Sequence, residues 1–233
     1  MAPDSTYAYD DRRDAVVDLH HPAGTPVGLL LLIHGGFWKA EWDRTHTRPM
    51  ARALAEQGWL VATPEYRRVG ADGGWPTTGE DVRLAFNSLA AQVGPIDGST
   101  VVTGHSAGGQ LALWLAATGA PVDRVVPLAP VGDLREAISL RLGSHAALAL
   151  LGDADPDPAL IDSADPMTLL EQRPTCDVAI VHGIDDRVVP LSLSRGLVAR
   201  HPWIELHEVP GGHFEVIEPG SIAWPNVLAA LTG

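Results

Sequence analysis

One pentapeptide carries a nucleophile in a setting that could activate it. Gly104-His105-Ser106-Ala107-Gly108 places a serine between two glycines. It lies directly between an apolar stretch at 100–103 and a helix-period stretch at 107–117, which is the strand–turn–helix context such an elbow needs. The turn is tight, so side chains at the glycine positions would collide with their neighbours. It lifts the hydroxyl above the sheet, and the following helix aims its N-terminus at any developing negative charge. The alternative is a Gly-rich turn with an idle serine.

A serine hydroxyl needs a base, and the base needs an orienting acid. In a strand–helix fold of this kind they follow in the order Ser, Asp/Glu, His, after later strands. The apolar stretch 178–182 is followed by Gly183-Ile184-Asp185-Asp186-Arg187, which offers two carboxylates. By position alone, Asp185 and Asp186 are near equivalent. The stretch 205–209 is followed by Pro210-Gly211-Gly212-His213-Phe214, and His213 is the base in the right order. The other nine histidines have quieter readings. His20, His21, His46, His201 and His207 read as surface or strand positions, and His34, His105, His145 and His182 as packing or supporting groups.

The third element is His34-Gly35-Gly36-Phe37-Trp38, immediately after the apolar run 28–33. Acyl transfer needs donors aimed at an oxyanion, and the amides of a Gly-rich turn supply them without reorganisation. The amides of Gly36 and Phe37, with that of Ala107, are the expected hole, and Gly35 is the fallback. Trp38 and Trp75 are candidate substrate contacts. No metal or cofactor is called for. There is no H-E-x-x-H, the adjacent pair His20-His21 cannot easily share one ion, and Cys176 is the only cysteine. Lys39 is the only lysine and follows no phosphate loop.

Apolar runs at 16–19, 28–33, 59–63, 99–103, 125–128, 178–182 and 205–209 alternate with helical spacing at 47–57, 107–117 and 191–200, and from Ser221 as N-cap to 231. A further helix starts at the capping box Thr77-Thr78-Gly79-Glu80. This rhythm predicts an α/β fold with a mainly parallel, doubly wound sheet covered by helices on both faces. Residues 132–173 break the rhythm and read as a small lid-like helical excursion over the C-terminal edge of the sheet, where such folds bind ligands. No linker or repeat divides the 233 residues, so 1–233 reads as one domain.

The chain carries 29 acidic against 16 basic residues, a net charge of −13. Such a surface repels phosphate backbones and anionic lipid, so nucleic acid and membranes are excluded as partners. The apolar run 27–33 is too short to span a bilayer, and the N-terminus has Asp4, Asp10 and Asp11 rather than an apolar signal core. A cytoplasmic protein acting on a small molecule is the expectation.

These residues resemble the α/β-hydrolase superfamily over essentially the whole chain. Within it, they look like the arylformamidase (kynurenine formamidase) branch and neighbouring small esterases. His34-Gly35-Gly36-Phe37-Trp38 is similar to that branch's H-G-G-Y-W, with Phe37 in place of the tyrosine. His182-Gly183-Ile184-Asp185-Asp186-Arg187-Val188-Val189-Pro190 looks like H-G-x-x-D-x-x-V-P, and His213-Phe214-Glu215 is near H-F-[DE]. Gly132-Asp133-Leu134-Arg135 and Asp165-Pro166-Met167 resemble the segment after strand six there. The resemblance implies Ser106 as nucleophile, Asp186 rather than Asp185 as acid and His213 as base, with Asp133 a distant third acid. It also implies a small ester or amide substrate, first an aryl formamide such as N-formylkynurenine and otherwise a short-chain ester. A non-catalytic binder on the same fold is the remaining alternative. Small hydrolases of this kind are often dimers, which makes a homodimer the family expectation.

Overall fold

Ile33 and Gly104 are paired in the sheet, as are Gly183 and Val209, and these two pairings decide where the chemistry meets. A computed structural model describes residues 2–233. The strands are β1 (Ser5–Ala8), β2 (Val16–His20), β3 (Gly28–Ile33), β4 (Trp59–Pro64), β5 (Ser99–His105), β6 (Arg124–Leu128), β7 (Asp177–Gly183) and β8 (Glu205–Val209). They form one sheet in the order β1-β2-β4-β3-β5-β6-β7-β8. Strands β3 to β8 run parallel, and β1 and β2 are antiparallel additions at one edge.

Alternation along each strand feeds two cores. In β3, Leu30 and Leu32 point to one side and Leu31 and Ile33 to the other. One face is covered by α1 (Arg48–Glu56) through Met50 and Leu54, and by α9 (Trp224–Thr232) through Val227 and Leu231. The other is covered by α2 (Thr77–Val93), α3 (Ala107–Ala117) and α8 (Leu191–Arg200), with Phe86, Leu111 and Leu197 among the contacts. Helix α3 is buried almost all round, as its apolar sequence, broken only by Gln110, requires.

Between β6 and β7 the chain makes the excursion, as α4 (Leu134–Ser139), α5 (Leu142–Leu151), α6 (Pro158–Ala164) and α7 (Pro166–Leu169). Several polar contacts fasten it to the body. Gln110 Nε2 donates to the Ala164 carbonyl at 2.7 Å, the Trp75 indole to Ser163 Oγ at 2.8 Å, and Lys39 Nζ to the Gly143 carbonyl at 2.8 Å.

Two expected caps form differently. Helix α2 is preceded by Pro76, while Thr78 Oγ1 donates to the Arg67 carbonyl, so the anticipated capping box is replaced by a tie to the β4–α2 loop. Helix α9 starts at Trp224 after Ala223, because Ser221 Oγ is taken by the Glu215 carbonyl. Strand β1 was absent from the sequence expectation, and its mostly exposed Ser-Thr-Tyr-Ala offers no apolar signal. Among the described residues no helix is long and apolar enough to cross a membrane.

Candidate active site

Ser106 stands at the junction of β5 and α3 with φ 56° and ψ −115°, a strained backbone for a residue with a side chain. The neighbouring glycines permit it. A Cβ on Gly108 would strike the Ile33 and His34 carbonyls, and one on Gly104 would strike the Gly108 carbonyl. The Ser106 amide donates to the Leu128 carbonyl at 2.8 Å, which pins the turn to β6. Ala107 is the first residue of α3, so its amide has no partner within the helix.

The loops after β7 and β8 bring the acid to the base. Asp186 Oδ2 lies 2.6 Å from His213 Nδ1, while its Oδ1 accepts from the Val188 and Val189 amides at 2.8 and 2.9 Å. Its carboxylate is closed to solvent, and His182 Nε2 stands 3.2 Å from Oδ2. Burial alone would raise its pKa, but the His182 and His213 hydrogen bonds and the Val189 amide outweigh burial and hold it well below the usual range. Asp185 is exposed and its backbone serves the loop, and Asp133 caps α4 through the Glu136 amide at 2.8 Å. Of the three candidate acids, only Asp186 meets His213.

His213 thus donates from Nδ1, which leaves Nε2 for the serine. Among the described residues no hydrogen bond joins Ser106 to His213. Such contacts are often long in unliganded sites and tighten around substrate. His105 supports the loop from below by donating its Nε2–H to the His213 carbonyl at 2.8 Å. Burial, then the neighbouring His213, pushes its pKa down to about 3, so it stays neutral.

The turn after β3 holds three successive left-handed residues, Gly36, Phe37 and Trp38, with φ of 108°, 53° and 56°. Among the described residues the Gly36 and Phe37 amides donate to no backbone carbonyl. Such strain persists only when the surroundings overdetermine it. Tyr66 Oη donates to the His34 carbonyl at 2.9 Å and stacks on the His34 ring at 4.1 Å. His34 Nε2 lies 2.9 Å from the buried Glu65, and the Val69 amide holds the Trp38 carbonyl at 2.8 Å.

A cavity of about 100 Å³ joins these parts and is lined by Gly36, Phe37, Trp42, His46, His105, Ser106, Val188, His213 and Phe214. The sequence of the BD-FAE family matches residues 17–200. The chain belongs to that family. It is an α/β-hydrolase, as the sheet order and helix layers independently require. Probable carboxylic ester hydrolase LipM of Mycobacterium tuberculosis (strain ATCC 25618 / H37Rv) is 27% identical over 192 residues, which covers 73% of this chain and 44% of that protein. The chain therefore spans less than half the length of this curated relative. A structure provisionally named a thioesterase, from Silicibacter sp. TM1040, is 28% identical with a TM-score of 0.81, covering 99% of this chain and 86% of that one. Esterase B of Lactobacillus rhamnosis, in a form inhibited by a tributyrin phosphonate, shares the fold at 22% identity and a TM-score of 0.78, with 100% and 84% covered.

In this BD-FAE chain two expected substrate contacts lie elsewhere. Trp38 is 1% exposed and packs in the core, its indole donating to Gln110 Oε1 at 3.0 Å, because the left-handed turn directs it inward. Trp75 packs edge-on against Trp114 at 5.2 Å and ties to Ser163 on α6, outside the cavity lining. Trp42, His46, Val188 and Phe214 take their place. The sequence signal for Trp42 and His46 was slight: both follow the Gly-rich turn closely, but in a loop without periodicity. Two further histidines sit differently from expectation. His201 is buried, with Nε2 donating to the Met167 carbonyl at 2.9 Å, and His145 is exposed.

Proposed function

We propose that this chain is a carboxylic ester hydrolase that works through an acyl-serine and takes short acyl groups. The observation that carries this is the 2.6 Å contact between Asp186 and His213, with His213 and Ser106 lining one cavity. In this reading Ser106 attacks the ester carbonyl while His213 Nε2 removes its proton. Asp186 keeps the Nδ1–H tautomer and stabilises the imidazolium that forms. The Gly36, Phe37 and Ala107 amides receive the oxyanion. His213 then returns the proton to the leaving alcohol, and water activated by the same imidazole releases the acid.

The relatives named above are ester hydrolases and a provisional thioesterase rather than formamidases, which favours the short-chain ester over N-formylkynurenine. The cavity at Ser106 is small, about 100 Å³, which favours a short acyl group over a long chain. Phe37 bounds it, and Gly143 of α5 packs on the Phe37 ring so closely that any Cβ there would overlap it.

Initial rates on p-nitrophenyl acetate, butyrate and octanoate, beside N-formylkynurenine, test the reading in wild type and Ser106→Ala. Acetate and butyrate turnover that vanishes in the variant is the expected result. Formamide turnover far above ester turnover would replace the ester reading, and activity surviving in Ser106→Ala would remove the acyl-serine.

A further inference from the structure

His46 has no part in the triad or the oxyanion turn, yet its ring lines the same cavity as Ser106. It sits in a short 3-10 turn (Arg44–Thr47) whose start is capped by Asp43, the carboxylate accepting from the Thr45 amide at 2.8 Å. Trp42 packs against it edge-on at 5.5 Å, and His34 does so at 5.8 Å from behind. Trp42 in turn lies directly over Gly36, where a Cβ would overlap its side chain. This wall is therefore continuous with the oxyanion turn, with the outer side of Trp42 open to solvent.

His46 Nδ1 is 2.5 Å from the Asp43 carbonyl oxygen. A carbonyl only accepts, so Nδ1 carries the proton and Nε2 of the neutral ring presents a lone pair. Burial, and after it the neighbouring His34, holds the ring's pKa below the ordinary histidine value, which favours that neutral form. Among the described residues no side chain or amide donates to Nε2. A bare lone pair cannot stabilise an oxyanion. It can accept, and apart from His105, Ser106 and His213 the side chains that line the cavity with it (Phe37, Trp42, Val188 and Phe214) are largely apolar.

We infer that His46 Nε2 is the acceptor for a hydroxyl that the substrate carries next to its scissile ester. The inference rests on the ester-hydrolase reading above and narrows its substrate class to hydroxylated short esters. A site built around an acceptor discriminates against the analogue lacking the donor, because closure then leaves the acceptor unpaired.

Two matched pairs of esters test it and separate the two positions the hydroxyl can occupy. Glycolate against acetate p-nitrophenyl ester puts the hydroxyl on the acyl side, and 2-hydroxyethyl against propyl butyrate puts it on the alcohol side. Wild type should prefer the hydroxylated member of one pair by about tenfold in kcat/KM, after correction for its uncatalysed hydrolysis. The preference should disappear in His46→Phe and return in part in His46→Gln, whose amide oxygen accepts. Equal rates within both pairs, or a preference that survives in His46→Phe, would overturn the inference, while Ser106-dependent turnover of the plain esters would leave the broader reading standing. If neither pair is hydrolysed in a Ser106-dependent way, the broader reading fails and this one with it. Nitrogen-15 NMR of the imidazoles, with His46 assigned by its loss in His46→Phe, gives a readout free of turnover. A protonated Nδ1 and bare Nε2 near neutral pH are expected, and a protonated Nε2 sinks the acceptor role.

Discussion

Asp186, in the loop after β7, and Asp165, between α6 and α7, are both carboxylates whose side chains are closed to solvent. Their proton affinities diverge. Asp165 is raised to about 6, first by burial and then by the nearby Asp133, against the lowering effect of the Leu134 and Met167 amides and Arg135. Burial also works against the ionised Asp186, in a less enclosed setting, but it ends well below the usual range because His182 and His213 donate to it alongside backbone amides. Each carboxylate accepts from two backbone amides, at 3.0 and 3.2 Å for Asp165 and at 2.8 and 2.9 Å for Asp186. At Asp165 two amides do not offset deeper burial and the Asp133 charge; at Asp186 the imidazole donors tip the balance the other way. One carboxylate is kept ionised against the His213 ring, and the other is a structural cap that tolerates its proton.

The largest effect should come from turning Asp186 into a group that cannot hold the Nδ1–H tautomer. Asp186→Asn keeps the shape but offers an amide, and kcat on p-nitrophenyl acetate should fall by about 10⁴-fold with the circular dichroism spectrum unchanged. A loss below tenfold would mean that the 2.6 Å contact is not the one that orients the base. The next step down is His182→Gln. His182 also contacts the Val189 carbonyl at 3.0 Å and Ser194 Oγ at 2.7 Å, so it fixes Asp186 from behind rather than touching substrate. Removing a hydrogen bond to a charged group costs ~1.5–3 kcal/mol, which corresponds to a kcat lower by roughly 10- to 100-fold with KM little changed. A change confined to KM would contradict that positioning role.

The contrast also explains what was legible in the sequence. Ser106 and His213 each follow an apolar strand in a glycine-rich turn, so order and punctuation announce them; the same signals narrow the acid only to Asp185 or Asp186, between which the family resemblance chooses, and strands β3 to β8 read directly from their runs. Trp38 and Trp75 were misplaced because residue type says nothing of direction. A left-handed φ at Trp38 sends an aromatic side chain into the core, and no sequence period encodes that. His46 was read as a surface position for the same reason, since its place in the cavity depends on how one 3-10 turn folds back over Gly36. The edge strand β1 and the kink at Gly143, Ser144 and His145, all left-handed, have no apolar pattern to betray them. Backbone handedness and loop packing are settled in three dimensions, and the fold's repeating part is settled by periodicity.

The remaining predictions turn from activity to stability, where the two carboxylates should pull in opposite directions. Asp186, with its pKa lowered on folding, contributes stability that is present above about pH 4 and lost as pH falls further. Asp165 is the reverse: its contribution is complete below about pH 4 and is lost as pH rises through about 6. Ionising it in place costs about 3 kcal/mol, from a shift of roughly two pKa units. Asp165→Asn can still accept from the Leu134 and Met167 amides, both of which donate to the same oxygen. The variant should raise Tm at pH 7.5 by roughly 5 °C, less than the full 3 kcal/mol implies because its NH2 faces Arg135. At pH 4.5 it should change Tm little. Equal shifts at both pH values would show that ionisation of Asp165 is not the source.

Arg135→Ala gives the smallest effect and the sharpest check on the cause. Its guanidinium is 44% exposed, 2.9 Å from Asp162 and 3.5 Å from Asp165, so its worth is that of a surface pair, ~0–1 kcal/mol. Because Arg135 favours the ionised Asp165, removing it raises that pKa further and destabilises the fold only where Asp165 is charged. A Tm drop of about 2 °C at pH 7.5 should therefore shrink at pH 4.5, where Asp165 holds its proton. In the Asp165→Asn background the pH-dependent part should vanish and leave only what Asp162 contributes. A drop that persists unchanged at pH 4.5, or in that background, would assign the effect to Asp162 and leave burial and the Asp133 charge as the forces that set Asp165 apart from Asp186.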